Sequence, residues 1–177
     1  MSKKVNYMLE KLFIKYDKAP YFLMGFIVLL LVAIFAILFA NTGEKTPTTY
    51  EQVNTELISL GYEPTDSTEI YKEQSPNLNG SISCDSERVH FYFFEFDNKN
   101  SAYSLFYNNH DLIYENISEG FREWDEHYDN YAMYSMSSNG IYYISIWVDN
   151  TAIYAYCDEE YTGELGKMLE AIGYQDS

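Results

Sequence analysis

The densest group of chemistry-bearing side chains is Glu123, Asp125, Glu126, His127 and Asp129, in the run REWDEHYD. Hard cations such as calcium take several oxygen ligands from a flexible loop. This run lacks the alternating acidic positions and mid-loop glycine of an EF-hand, so it reads as a solvated acidic connection. Glu95 and Asp97 are the best carboxylate candidates for acid–base work, which requires environments that separate their pKa values. The histidines His90, His110 and His127 fall on a strand, a helix and a connection, without ligand spacing among them. No G-x-S-x-G elbow, glycine-rich phosphate loop, H-E-x-x-H or C-x-x-C occurs. The sequence implies no cofactor and leaves enzymatic activity unassigned.

Cys84 and Cys157 are an even pair, and in an oxidising compartment they are a disulfide candidate. Two free buried thiols are the equal alternative. Tyrosine is abundant, with 19 residues. Tyr92, Tyr134, Tyr143, Tyr154 and Tyr156 are candidates for an aromatic contact face, since tyrosine joins a large apolar area to a polar tip. Packing of the same rings in the core and in cross-strand pairs is the favoured reading.

These residues must be positioned by elements arranged around Tyr21 to Ala40, YFLMGFIVLLLVAIFAILFA, which holds no charged residue. At helical rise it spans about 30 Å, the hydrocarbon thickness of a bilayer. It is expected to be a transmembrane helix, because lipid forces every backbone group to be satisfied within the segment. Residues 1–20 carry Lys3, Lys4, Lys11, Lys15 and Lys18 against Glu10 and Asp17, a charge of +3. Residues 41–177 carry the rest of the total of −16, which is −19. Lysine retained beside a span marks the cytoplasmic side. The expected layout is therefore a cytoplasmic basic leader (1–20), an uncleaved signal anchor (21–40), a linker (41–47) and an extracytoplasmic domain (48–177). In the leader, Val5, Met8, Leu9, Leu12, Phe13 and Tyr16 form one helical stripe, and the five lysines suit the membrane interface. An outer domain at −19 repels nucleic acid, so nucleic acid is not an expected partner.

In the outer domain, Thr48-Thr49-Tyr50-Glu51 has the form of a capping box, followed by Val53, Leu57 and Leu60 at helical spacing. Gly61-Tyr62 ends that helix, and Gly173-Tyr174 ends a last one with Leu165, Met168, Leu169 and Ile172 as its stripe. Ser81 to Cys84 is a short strand candidate, and Arg88 to Phe96 reads as a central strand. A helix follows to Tyr114, and Glu119 to Asp129 is expected to be a connection anchored by Phe121, Trp124 and Tyr128. Three strands then run in succession through turns at Asn139-Gly140 and Asp149-Asn150. The order α-β-(β)-α-β-β-β-α predicts an α+β domain, an antiparallel sheet of about four to five strands with helices on one face.

The expected function is a membrane-anchored binding or interaction domain, with a protein partner or a small ligand. The alternatives are an accessory subunit of a larger membrane complex, or a membrane-tethered enzyme that uses carboxylates such as Glu95 and Asp97.

Overall fold

The computed structural model describes residues 27–30, 32, 44–115 and 122–175. The chain divides into two units, Met1–Thr42 and Gly43–Ser177. In the first, residues 27–30 and 32 are helical. The leader with its lysines, the rest of 21–40 and the first three linker residues lie outside the described residues. Among the described residues, no helix is long and apolar enough to cross a membrane.

The second unit is an α+β fold built on one antiparallel sheet of seven strands, more than the four to five expected. The strands are β1 (Thr65–Asp66), β2 (Leu78–Asp85), β3 (Val89–Phe96), β4 (Arg122–His127), β5 (Tyr131–Ser138), β6 (Ile141–Val148) and β7 (Thr151–Asp158). Their spatial order is β1-β2-β3-β7-β6-β5-β4. The helices are α1 (Tyr50–Ser59), α2 (Thr68–Lys72), α3 (Lys99–Glu115) and α4 (Thr162–Ala171). Chain passage through α3 carries the backbone from β3 at mid-sheet to the far edge at β4. Three hairpins then bring it back to β7, beside β3.

The helices cover both faces of the sheet, not one. Val53 and Leu57 of α1 and Leu165, Met168 and Leu169 of α4 bury Ile82, Phe91, Phe93, Ile144, Ile146 and Ile153. On the opposite face, Ala102, Phe106 and Ile113 of α3 lie in a second core with Phe94, Phe96, Tyr134, Trp147 and Ala152. The run HFYFFEF explains this. It places Phe91 and Phe93 on one face and Phe94 and Phe96 on the other, and rings on both sides of a strand need cover on both.

Local chemistry sets the element ends. The capping box falls one residue later than expected: the Thr49 N–H donates to Gln52 Oε1, and the Gln52 N–H donates to Thr49 Oγ1. Gly61 (φ 89°) and Gly173 (φ 77°) occupy the left-handed position that closes α1 and α4. In both closures the next tyrosine N–H reaches back five residues, Tyr62 to the Leu57 carbonyl and Tyr174 to the Leu169 carbonyl. The two Gly-Tyr pairs are thus two uses of one helix stop. Asp158 makes no side-chain cap; a 3₁₀ turn at Glu159–Tyr161 intervenes before α4.

Candidate functional site

Sheet register decides which sequence candidates meet. One row on the α3 face runs Tyr134, Ser145, Tyr154, Tyr92 across β5, β6, β7 and β3. The next runs Met136, Tyr143, Tyr156, His90, Asp85. Four of the five candidate tyrosines therefore form one patch, joined by His90. Tyr134 is set apart, fully buried with its ring 4.1 Å from that of His110. Ser145 separates it from Tyr154.

Within the patch the rings stack on one another. His90 lies on Tyr156 at 4.4 Å and 16°, and Tyr92 on Tyr154 at 6.2 Å and 20°. Asp85 Oδ1 sits 2.8 Å from His90 Nδ1 and accepts from the Tyr92 hydroxyl at 2.7 Å. Burial, and then the Asp85 carboxylate, raise the Tyr92 phenol well above its usual value. Burial pushes Tyr154 up to about 12. Rings stacked on neighbouring rings make this a cross-strand ladder that stabilises the sheet.

A second surface, which the sequence reading missed, lies on the opposite face. Here one row reads Cys84, Phe91, Ala155, Ile144, Ser135, Trp124 from β2 to β4. Its first four members lie in the core shared with α1 and α4. Its last two change character: Ser135 is small, and Trp124 is 59% exposed at the sheet edge. Between α4 and this edge runs an open groove of about 810 Å³. Ser135, Ser137 and Tyr142 line it from the strands, and Gly163, Gly166 and Glu170 from α4. The expected connection at Glu119 to Asp129 is therefore in large part a strand, β4; Trp124 is exposed, Tyr128 is half-exposed with its ring stacked on the buried Tyr131 at 5.8 Å, and Phe121 lies outside the described residues. Gly166 in mid-helix was the one signal available, since glycine there costs about 1 kcal/mol relative to alanine.

No protein-family model matches the chain, and no curated protein matches it. Two solved structures are similar in outline. One is a GTP-binding regulator from Thermotoga maritima, 10% identical, with a TM-score of 0.46 over 73% of this chain and 90% of that one. The other is the extracellular domain of PknH from Mycobacterium tuberculosis, 10% identical, with a TM-score of 0.35 over 70% of this chain and 89% of that one.

The remaining candidates separate. Cys84 and Cys157 are free and buried. They lie on β2 and β7 with β3 between them, so two strand spacings, roughly 9–10 Å, hold them beyond the reach of a disulfide. Glu95 Oε2 accepts the Tyr50 N–H at 2.8 Å and so caps α1, while Asp97 is exposed and accepts from the Asn98 amide. In REWDEHYD, Asp125 is paired with His127 at 3.0 Å. Among the described residues no group of three or more His, Cys, Asp or Glu is placed to hold a metal ion.

Burial pushes the Cys157 thiol up to about 11, with Asp158 and Glu164 adding to the shift, and raises Cys84 as well. The sign is destabilising at high pH. The unfolded thiol ionises near 9 while the folded one stays neutral, so stability is full below 9 and is lost as pH climbs towards 11. Thermal melts should therefore fall between pH 9 and 11. Cys157→Ala should shrink the part of the fall that begins at about 9 to the share of Cys84, leaving the tyrosine part that begins near 10 unchanged. Melting curves that coincide from pH 8 to 11 would contradict the buried neutral thiol.

Proposed function

We propose that the chain is a single-pass membrane protein, anchored through residues 21–40, whose acidic α+β domain binds a partner outside the cytoplasm. The groove beside α4 carries the binding half of this reading. It is open, lined by polar and apolar groups, and edged by a tryptophan that the fold leaves 59% exposed. Large aromatic rings at a concave surface are what interface anchors are made of. The location half is supported by the apolar stretch and by the five lysines that precede it.

Location is tested by surface labelling. The native thiols are buried, so they are poor reporters. Glu87 is exposed in the turn between β2 and β3 and offers a new site. Glu87→Cys should react with a membrane-impermeant maleimide on intact cells, while the parent chain stays unlabelled. Reaction of Glu87→Cys only after lysis would place the domain on the cytoplasmic side and end this reading.

A further inference from the structure

The groove's surroundings narrow what it takes, granted that the domain is a binding module. The strand β4 ends the sheet, and among the described residues it pairs with β5 alone. Among the described residues its outer side therefore carries backbone donors and acceptors without sheet partners, a template on which an extended chain can add a strand. Trp124, at the middle of β4, supplies a broad ring beside that template. Glu159 and Glu170 line the groove against a single cation, Lys167. Glu123 and Asp125 flank Trp124 along the strand, and Glu126 follows. The whole region from residue 41 onward stands at −19, so the complementary occupant is cationic.

The wall of α4 points the same way. A Cβ at Gly163 would meet no atom within 4 Å, and one at Gly166 only the Gln175 Oε1 at 3.7 Å. Among the described residues nothing demands glycine at either place, and both are in helical conformation. Their effect is to keep the wall low where another chain approaches. A second copy of this protein would set REWDEH against REWDEH and bring like charges together. A small polyamine would use the carboxylates and leave the strand edge idle.

We propose that this edge binds an extended, lysine- or arginine-rich polypeptide segment, which adds a strand to β4 and packs against Trp124 beside the glycine wall of α4. The test uses the full-length chain in nonionic detergent, titrated calorimetrically with a capped octapeptide of alternating lysine and valine. Binding is expected, and it should weaken by at least about tenfold between low salt and roughly 0.5 M salt. The matching glutamate–valine peptide should not bind. Nor should the lysine–valine peptide with two valines replaced by proline, which cannot complete a strand ladder.

Trp124→Ala and Gly166→Leu should each weaken binding by about tenfold or more while the melting temperature holds. Trp124→Ala removes only an exposed ring, so it keeps the test valid if Gly166→Leu fails to fold. Absence of lysine–valine binding overturns the proposal, and so does equal binding by the proline peptide, since the edge would then play no part. Spermine that binds as tightly and competes would mean a small-cation site. Dimerisation through β4 without any peptide would mean a second copy is the occupant. A chain that labels from outside at Glu87→Cys yet ignores the peptide loses this inference and keeps the reading it rests on.

Discussion

Phe91→Ala is expected to lower the stability of the domain by about 3–5 kcal/mol. Phe91 is fully buried on β3, the strand between β2 and β7, with Cys84 and Ala155 as its lateral neighbours. Its ring lies in the core that α1 and α4 close, and deleting it leaves a cavity that seven paired strands cannot collapse to fill. For a domain of this size each kcal/mol moves the melting point by roughly 3–5 °C, so a fall of about 9–25 °C in a circular-dichroism melt is expected. Phe91→Leu, which keeps most of the volume, should lose much less. A Phe91→Ala melt within about 3 °C of the parent would mean that the core does not run through mid-sheet as described.

That core is largely legible in the sequence. The alternation of Tyr142, Ile144 and Ile146 against Tyr143, Ser145 and Trp147 matches the two faces of β6, and Asn139-Gly140 and Asp149-Asn150 turn the chain where expected. Both Asn139 (φ 57°) and Asp149 (φ 47°) take the left-handed conformation those residues tolerate. What failed has physical causes. REWDEH has no apolar alternation because an edge strand needs none; its charges keep the edge solvated and look, in sequence, like a loop. Strand β1 is a two-residue pairing, below any periodic signal. The second covered face was legible in principle, since HFYFFEF is aromatic on both sides. The disulfide expectation foundered on topology. Only the strand order puts β3 between the two cysteines, and strand order is not written in cysteine spacing. The groove was invisible for the same reason, because it exists only where the α3 crossover lays β4 beyond the shelter of α4.

Tyr174→Ala is the second large expected loss, about 3–5 kcal/mol, and it connects the core to the point where the chain enters the domain. The ring is fully buried behind Gly173, and burial raises its phenol above the usual value. Its hydroxyl accepts from the Thr48 N–H at 2.9 Å and lies 2.6 Å from Thr151 Oγ1. The Thr151 hydroxyl donates to the Val148 carbonyl at 2.7 Å, so its one proton is committed and the tyrosine must donate to it. Thr48 Oγ1 in turn donates to the Ile172 carbonyl at 2.6 Å, and Asn130 Nδ2 donates to the Lys45 carbonyl at 2.8 Å. The expected linker is thus partly docked: from Lys45 onward it is held to the body by the last helix stop and the β4–β5 turn. Tyr174→Phe separates packing from anchoring. It keeps the ring and should cost about 1–3 kcal/mol, because the Thr48 N–H is left without its acceptor. In that variant trypsin should release the fragment beginning at Thr46 faster than in the parent, even at temperatures where the sheet stays folded. Cleavage after Lys45 at the parental rate, with an unchanged melt, would show that the hydroxyl does not hold the entering chain.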